Sequence, residues 1–524
     1  MKKPAVLLLT VLLLWPAMAG ALATPPAHAR FRLGNEVFLE RYRHLVAGKR
    51  VGLITNQSGV NGRGQSLVDI FAADAGINLR ALYAPEHGID GKAAAGAYVE
   101  SYVHPVLGIP VYSLYGRTRR PTAAMLAGVD VLVFDMQDIG ARTYTFISTM
   151  QYAMAAAREH GLPFIVLDRP NPLGGVIVEG PVLEEGYQSF LGVDILPLAH
   201  GMTIGELAQY FNRLIGAELT VVRMEGYTRE MLFQDTGLTW VQTSPNIPHL
   251  ASAFGYLATG LASGSGVVQA DQFTWVGGAG LQSTRFAALL NGAGLPGVTF
   301  APEDRGTLGG ARLTITDYRR FNPARTGLHM LFLARSQWQF PVPRSGPAPH
   351  QRTMFDRHMG SGQVARWLEE NLSPQAGEQR YQAGLQAFRK VREQYLLYGF
   401  RGEGGQPSLV VNGHNVHLPV RPFIANDRTL VPVRALAQQL GAQVTWIGQE
   451  RAVVIERDGT TIRLVIGSSQ AVVNGFAYRL DAAPIIRHDR AMLPVRFVSE
   501  HLGARVDWCR ATYAVVVSTA GAGR

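Results

Sequence analysis

Blocks of apolar residues recur along the first third of the chain, separated by stretches with helical periodicity. The predicted strands occupy residues 51–55, 79–84, 129–134 and 164–167, and the predicted helices occupy residues 66–75, 121–127 and 146–160. The strand blocks are almost continuously apolar, which is typical of strands covered on both faces. The alternation therefore predicts an α/β unit in which helices pack on both sides of a doubly wound parallel sheet.

Each of the four predicted strands runs directly into polar side chains. These are Asn56, Gln57 and Ser58, then Glu86 and His87, then Asp135, Gln137 and Asp138, and finally Asp168, Arg169 and Asn171. Ligands of open α/β sheets bind at the carboxyl ends of the strands, so we expect these groups to line one crevice. Glu86 stands between a proline and His87-Gly88, and we take it as the centre of the chemistry.

The spacing of the glycines and histidines favours neither a dinucleotide nor a metal ion as ligand. Gly59, Gly62 and Gly64 do not give the G-x-G-x-x-G spacing of a dinucleotide site, so no nicotinamide cofactor is expected. No spaced histidine pair indicates a metal site, and we predict none. His200 precedes a predicted helix that extends to residue 215, and Thr203 and Glu206 have the spacing of a capping box at its start.

Composition and the first residues indicate an exported globular protein. Of the 524 residues, 47% are hydrophobic and 17% charged, and the net charge of +10 suits anionic partners. No basic, aromatic-rich segment indicates nucleic acid as the partner. Residues 1–29 combine two lysines, an apolar run and small residues, which predicts a secretory signal peptide rather than an uncleaved anchor. Cys509 is the single cysteine, so no internal disulfide is possible.

A series of motifs in residues 50–398 resembles the exo-acting β-N-acetylmuramidases, which release terminal N-acetylmuramic acid from peptidoglycan glycans. The motifs are ITNQSG at 54–59, APEHG at 84–88, DIGARTYT at 138–145, DRPNPLGG at 168–175, EGP at 179–181, HGMT at 200–203, SPNIP at 244–248 and EQYLLY at 393–398. The resemblance implies a Rossmann-like catalytic domain at residues 30–250 and a second α/β domain at residues 251–400 that completes an active-site cleft. It also implies peptidoglycan fragments as substrates and the glutamate of the APEHG motif as the leading catalytic candidate.

Glycoside cleavage assigns roles to these residues. A partly desolvated Glu86 can hold a proton for the leaving oxygen, and His87 would orient it. Asp138, Asp135 or Glu179 would activate water or stabilise the oxocarbenium-like centre, unless the 2-acetamido group of the substrate assists, and the sequence leaves these mechanisms open. Arg142 and Arg169 are candidates for the lactyl carboxylate, with an ion pair to Asp138 or Asp168 as the structural alternative. The remaining candidates for substrate binding are Asn56, Gln137, Asn171, Glu179, His200 and Asn246.

One stretch departs from the pattern of the resembling family. Residues 259–272 lack the glutamate that the family usually carries there, and Asp271 is a candidate for a displaced substitute. The competing hypothesis is therefore a non-catalytic wall-binding protein that keeps the muramidase fold. A hydrolase of another acidic sugar is a third reading.

The end of the chain contains an internal repeat. After a glycine-rich linker at residues 401–407, the motif RTLVPVR at 428–434 returns 62 residues later as RAMLPVR, and GAQVTW at 441–446 returns as GARVDW. This duplication predicts a small α+β stalk module at residues 408–524, and it resembles the module named after the N-terminal domain of copper amine oxidases. Its histidines show no ligand pattern, so we expect a spacer or wall-binding role without copper.

Overall fold

The computed structural model describes residues 31–262, 264–346, 348–399, 407–416, 418, 420–425, 428–509 and 514–519. The predicted signal peptide and residues 401–406 of the predicted linker lie outside these ranges. Within them, no helix has both the length and the apolar character that crossing a membrane requires.

A seven-stranded sheet organises the N-terminal part. Its strands are β1 (Arg50–Thr55), β2 (Asn78–Ala84), β3 (Tyr102–Val103), β4 (Pro110–Ser113), β5 (Val131–Asp135), β6 (Phe164–Leu167) and β9 (Leu219–Val222), in the spatial order β3-β4-β2-β1-β5-β6-β9. Only β3 is antiparallel to its neighbour. The six parallel strands, counted along the chain, lie in the order 3-2-1-4-5-6, which is the Rossmann arrangement with its switch point between β1 and β5. The predicted α/β fold class is confirmed.

Apolar side chains cover both faces of this sheet. In β5, Leu132 and Phe134 pack on the side of helices α4 and α5, whereas Val131 and Val133 pack on the side of α2. The helices of this part are α1 (Gly34–Val37), α2 (Leu67–Ala73), α3 (Ala123–Leu126), α4 (Phe146–Glu159) and α5 (Ile204–Ile215). A short hairpin of β7 (Glu179–Val182) and β8 (Pro197–Ala199) precedes α5. Alternate burial on two faces explains why the strands are almost continuously apolar.

Helix α5 begins as the sequence predicts. The Thr203 hydroxyl accepts a hydrogen bond from the Glu206 amide, and the Glu206 carboxylate accepts one from the Thr203 amide. Asp168, at the end of β6, adds acceptors for the Thr203 hydroxyl and the Gly205 amide. These contacts satisfy the otherwise unpaired amides of the first turn, so Thr203, Glu206 and Asp168 have structural roles.

The second part packs directly onto the first. It contains an antiparallel sheet of β10 (Val268–Ala270), β11 (Trp275–Gly278), β12 (Val298–Pro302) and β13 (Gly309–Ile315), in the order β10-β11-β13-β12. Its helices are α6 (Leu250–Thr259), α7 (Ser283–Gly292), α8 (Pro323–Gln337), α9 (Met354–Met359), α10 (Gln363–Glu369) and α11 (Pro374–Arg392). One apolar cluster runs from the α4 side of the parallel sheet through α6, α8 and α11. The two parts therefore share a core.

The C-terminal module is built from two repeats whose strands intermix. Its strands are β14 (Ser408–Val411), β15 (His414–Asn415), β16 (Phe423–Ala425), β17 (Arg428–Pro432), β18 (Gln443–Ile447), β19 (Ala452–Arg457), β20 (Thr460–Val465), β21 (Gln470–Val473), β22 (Phe476–Arg479), β23 (Ile485–Arg487), β24 (Arg490–Pro494), β25 (Ala504–Cys509) and β26 (Ala514–Thr519), with α12 (Val433–Gln439) and α13 (Val495–His501). The sheet orders are β15-β14-β26-β25, β16-β17-β24-β23 and β18-β19-β20-β21-β22. Every sheet thus combines strands of both repeats.

Candidate active site

Glu86 lies immediately beyond the carboxyl end of β2 and is held by two hydrogen bonds. Its Oε1 accepts from the Gly96 amide at 2.7 Å, and its Oε2 accepts from the Thr145 hydroxyl at 2.6 Å. Thr145 is the residue that begins α4, so the carboxylate is fixed between a strand end and a helix start. The residue is 9% exposed. A carboxylic acid in this position is oriented by the fold and shielded from most of the solvent.

His87 shapes the loop that carries one of these donors. Its backbone has a φ of 72°, in the left-handed region that side chains rarely adopt, and Gly88 continues with a φ of 79°. The ring Nδ1 lies 2.8 Å from the Ala93 carbonyl, and the Ala93 amide donates to the His87 carbonyl. These contacts close residues 87–93 into a compact turn, three residues before Gly96. His87 is therefore placed to position the Gly96 amide against Glu86.

Asp138 and His200 form a buried pair near the switch point of the sheet. Asp138 Oδ2 accepts from the Gly140 amide at 2.7 Å and lies 3.5 Å from His200 Nε2. His200 Nδ1 accepts from the Met202 amide, which places the ring proton of the neutral form on Nε2. Asp138 Oδ1 and His200 Nε2 have no hydrogen-bond partner within the part of the chain that the structure describes. Two buried polar atoms without a partner supply unused hydrogen-bonding capacity for a water molecule or a substrate group.

The phenol of Tyr256 lies within electrostatic range of both Glu86 and Asp138. Its oxygen lies 3.0 Å from the Thr143 hydroxyl, two residues before Thr145. Burial raises the pKa of Tyr256 to about 12, with smaller contributions from the negative charges of Glu86 and Asp138. One hydroxyl therefore lies close to both carboxylates. This tyrosine belongs to none of the polar strand ends of the first part of the chain, because it lies on α6 in the second part.

Arg142 is not available for a substrate carboxylate. It is fully buried, and its guanidinium donates to the carbonyl oxygens of Pro181, Leu196 and His358 at 2.6 to 3.0 Å. Burial lowers the pKa of Arg142 to about 9. Its role in the structure is to tie α9 to the β7–β8 hairpin.

Arg169 is likewise committed within the protein. Its Nε and Nη2 meet the two oxygens of Asp135 at 2.5 and 2.9 Å, and Nη2 also donates to the Val60 carbonyl. Both partners are almost completely buried. The ion pair that was the structural alternative exists, but its acid is Asp135 rather than Asp138 or Asp168. It also occupies Asp135, one of the three candidates for the second carboxylate.

Three amide side chains among the candidates brace the loops of the crevice. The Asn56 carbonyl accepts from the amide and hydroxyl of Ser58, and Gln137 donates to the carbonyls of Asp138 and Pro170. Asn171 links Leu173 to the Met202 carbonyl. Asn56 Nδ2 is buried and has no partner among the described residues. Of the three, Asn56 alone has a fully buried polar atom without a hydrogen-bond partner among the described residues.

Glu179 and Asn246 are the two remaining candidates for substrate binding. Glu179 Oε1 accepts from the Gly180 amide, and its Oε2 accepts from Asn322 at 3.1 Å, at the start of α8. Burial raises the pKa of Glu179, which favours the protonated form. Asn246 is exposed in the turn before α6. The structure does not bring either residue into hydrogen-bond contact with Glu86 or Asp138.

The segment with the missing glutamate has an unusual backbone. Asp271, Gln272 and Phe273 all have positive φ values, of 48°, 54° and 70°. The Asp271 carboxylate pairs with Arg305 and Arg312, whose hydrogen bonds lower its pKa. Asp271 is therefore used in an exposed ion-pair cluster and does not replace a glutamate in the crevice.

A cavity of about 330 Å³ opens at the switch point. It is lined by side chains that include Ser58, Asn61, Gln137, Arg169 and Phe233. Glu86 is not part of its lining. Across the described ranges, no group of three or more His, Cys, Asp or Glu side chains converges as a metal site requires.

Family models match almost the whole described chain. The N-terminal model of the exo-β-N-acetylmuramidase NamZ matches residues 51–251, and the corresponding C-terminal model matches residues 254–398. The copper amine oxidase N-terminal domain model matches residues 410–517. The expected resemblances are confirmed for both the catalytic part and the stalk.

Individual relatives agree with these matches. The peptidoglycan β-N-acetylmuramidase NamZ of Bacillus subtilis (strain 168) is 41% identical over 421 residues, which cover 76% of this chain and 100% of the relative. A crystal structure of a DUF1343 family protein from Bacteroides fragilis NCTC 9343 is 36% identical with a TM-score of 0.63, covering 70% of this chain and 99% of its own. A second protein of that family and organism, 23% identical with a TM-score of 0.55 over 71% of this chain and 99% of its own, shares the fold.

Proposed function

The chain belongs to the NamZ family of exo-β-N-acetylmuramidases and is a glycoside hydrolase, and from that premise we propose that it removes terminal β-1,4-linked N-acetylmuramic acid from the non-reducing end of peptidoglycan glycans. The observation that carries the proposal is the Glu86 carboxylate, which two hydrogen bonds hold at the end of β2 and whose negative charge, like that of Asp138, acts on the Tyr256 phenol. Two carboxylates around one site are the minimum that most glycosidases use.

Glu86 is the general acid in this mechanism. It protonates the glycosidic oxygen as the bond to the sugar breaks, and it becomes a carboxylate in that step. The Gly96 amide and the Thr145 hydroxyl then stabilise the new negative charge, because both donate to its oxygens. His87 keeps the Gly96 donor in place through its bond to Ala93. The donors that stabilise the new carboxylate are thus in place before the glycosidic bond breaks.

Asp138 is the second carboxylate of the proposal. Asp135 is paired with Arg169, and the Glu179 carboxylate already accepts hydrogen bonds from the Gly180 amide and the Asn322 side chain. Asp138 keeps one oxygen without a partner among the described residues, beside His200. That oxygen can orient a water molecule or the 2-acetamido group of the substrate, so inverting, retaining and substrate-assisted routes remain separate alternatives.

The test is the release of a chromogenic aglycone from a β-N-acetylmuramide by the mature protein. We expect turnover of the muramide and none of the corresponding β-N-acetylglucosaminide. Glu86→Gln should lower kcat/KM by roughly 10²- to 10⁴-fold, since it removes the general acid but keeps the shape. Glu100→Gln is the matched control, because Glu100 is exposed a few residues after the same loop.

The same assay decides on the competing function. The glutamate missing from residues 259–272 favours a protein that binds wall saccharides without cleaving them. A folded wild-type protein that binds muramic-acid saccharides but releases no aglycone would overturn the catalytic proposal and support the binding one.

The N-terminal segment and the stalk bear on where the enzyme acts. We propose that residues 1–29 direct export and that the stalk holds the enzyme at the cell wall. A groove of about 720 Å³ in the stalk supports the second point, since its lining combines Phe497 and Trp508 with charged side chains of both signs, among them Arg479, Arg496, Asp481 and Glu500. Aromatic and polar groups on one surface suit a saccharide polymer.

A further inference from the structure

The proposed substrate poses a chemical requirement that the predicted residues do not meet. Muramic acid differs from glucosamine by a lactyl ether, which ends in a carboxylate. A guanidinium at the edge of the cleft is the natural partner for that group. Arg142 and Arg169 are both buried and already bonded inside the protein. The cation must therefore come from another residue.

Arg119 has the exposure and the surroundings that this role needs. Its side chain lies in the loop between β4 and α3 and is open to solvent. The guanidinium carbon lies 4.2 Å from the ring centre of Tyr115 and 4.5 Å from that of Phe190. Within the described ranges it forms no salt bridge, whereas Arg120 beside it pairs with Glu159 at 2.5 Å. Stacking holds a guanidinium by its faces and leaves its N–H edge available.

Tyr115 connects this guanidinium to the proposed general acid. The pKa of Tyr115 is raised first by burial and then by the negative charge of Glu86, while Arg119 acts in the opposite direction. Glu86 and Arg119 therefore both lie near the Tyr115 phenol. An acid that cleaves at the anomeric carbon and a cation that binds a substituent of the same sugar ring must be close together in this way.

The aromatic pair beneath Arg119 is itself anchored. The Phe190 carbonyl accepts from the Ser148 hydroxyl at 2.8 Å, and the Phe190 ring packs edge-on against Tyr152, both on α4. Gly116 next to Tyr115 has no space for a side chain, since a Cβ there would lie 2.6 Å from the Val99 carbonyl. The platform is thus fixed by α4, the helix that also presents Thr145 to Glu86.

We propose that Arg119, stacked on Tyr115 and Phe190, binds the lactyl carboxylate of the terminal muramic acid and so makes the enzyme specific for it. This inference rests on the proposed function. It concerns ground-state binding of one substituent, so Arg119 is a residue of specificity and takes no part in proton transfer. The expected consequence is an effect that depends on the charge of the lactyl group.

The experiment compares two muramides, one with a free lactyl carboxylate and one with the carboxylate converted to a neutral amide. For Arg119→Ala we expect KM for the free acid to rise roughly 10- to 100-fold, with kcat within about threefold of wild type. The amide should show the same KM in both proteins. Arg119→Lys should recover part of the effect, because it restores the charge but not the planar fork. Arg117→Ala is the matched control on the same loop, where Arg117 is exposed.

Two results would overturn the inference while leaving the proposed function intact. One is an equal loss on both muramides, which would mean that Arg119 only supports the aromatic platform. The other is no change on either. If wild type turns over neither muramide, the proposed function fails by itself, and calorimetry then tests Arg119 directly. A preference for N-acetylmuramic acid over N-acetylglucosamine that disappears in Arg119→Ala supports the inference, and equal affinities in wild type refute it.

Discussion

Protonation of one histidine, His358, makes the stability of this protein depend on pH. Its ring sits on α9, and its backbone carbonyl accepts a hydrogen bond from Arg142 at 2.6 Å. Burial, and then the positive charge of Arg142, lower the pKa of His358 to about 4. The folded protein therefore holds this histidine neutral at a pH where an unfolded chain would already protonate it, near pH 6.5.

We predict that His358→Gln removes part of the acid sensitivity of the protein. Because the pKa in the folded state lies below the unfolded value, the stability from a neutral His358 is complete above pH 6.5. It is lost as the pH falls towards 4, by about 3 kcal/mol in total. Urea unfolding at pH 7 and pH 4 should show a smaller decrease in the variant by roughly that amount. His350→Gln, at an exposed site on the same segment, should behave as wild type.

The partners of Arg142 and Arg169 could not be predicted from the sequence. The position of Glu86 could be predicted, because the end of an apolar strand locates a crevice whatever the rest of the chain does. Arg142 and Arg169 stand in equally suggestive motifs, yet their partners come from residues 60, 135, 181, 196 and 358. Burial by such distant segments leaves no local pattern. Arg119 was missed for a similar reason, since one of its two stacking partners, Phe190, is far away along the chain.

Among the structural elements, the segment of residues 271–273 is the most constrained. Three consecutive residues with side chains in the left-handed region cost on the order of 1–3 kcal/mol each. The segment is held by the Asp271 ion pairs and by its close approach to α6, where the Phe273 carbonyl accepts from the Thr259 hydroxyl. The Phe273 ring packs edge-on against Tyr256. The strained segment therefore contacts Tyr256, the tyrosine near Glu86 and Asp138.

We predict that the contact between this segment and α6 leaves no space for a side chain at position 255. A Cβ at Gly255 would lie 2.3 Å from the Phe273 carbonyl, so Gly255→Ala must displace the segment and should cost about 1–3 kcal/mol. Gly292→Ala at the end of α7 is the control, because a Cβ there meets nothing within 4 Å, and it should stabilise by about 0.5–1 kcal/mol. Urea unfolding of both variants makes the comparison. Equal stabilities would mean that α6 and the segment do not touch in solution.

Most elements of the parallel sheet could be predicted, and the exceptions share a cause. The strand at Phe164–Leu167 has the predicted bounds, and α4 differs from its prediction by one residue. β4 and β9 were missed, because each spans four residues without a continuous apolar run. As edge-side strands they are only partly buried, so their sequence carries a weaker signal. The Rossmann strand order therefore emerged only from the structure.

The two repeats of the stalk share one core, although each repeat has its own copy of the sequence motifs. A single apolar cluster joins residues of the first repeat to residues of the second, among them Leu409, Val431, Leu436, Val453, Val473, Leu493, Val498 and Val515. The catalytic part, by contrast, has its own core. The Bacteroides fragilis structure is matched over 99% of its length by 70% of this chain, so that relative folds in a length close to the catalytic part alone.

We predict that half a stalk does not fold. A chain ending at residue 466 loses strands from all three stalk sheets and half of their shared core. Limited proteolysis should trim it to near residue 400, while the full chain keeps its stalk and a chain ending at residue 399 is unaffected. All three should cleave a small muramide equally. A protease-resistant half would show that one repeat is sufficient.

The same three chains test the proposed attachment to the wall. In sedimentation with insoluble peptidoglycan, the full chain should be retained more strongly than either shortened chain. Equal retention of all three would leave the stalk with a role as a spacer only.

The parallel pairing of β14 with β26 also determines how the stalk resists a pulling force. The two strands run parallel, with Ser408 opposite Ala514 and Val411 opposite Val517. They are the first and last strands of the module, so a pull between residues 407 and 519 acts on opposite ends of the pair. The backbone hydrogen bonds between them are then loaded in shear and must break together, as in a lap joint. A stalk held in the wall would transmit tension to the catalytic part before it unravelled.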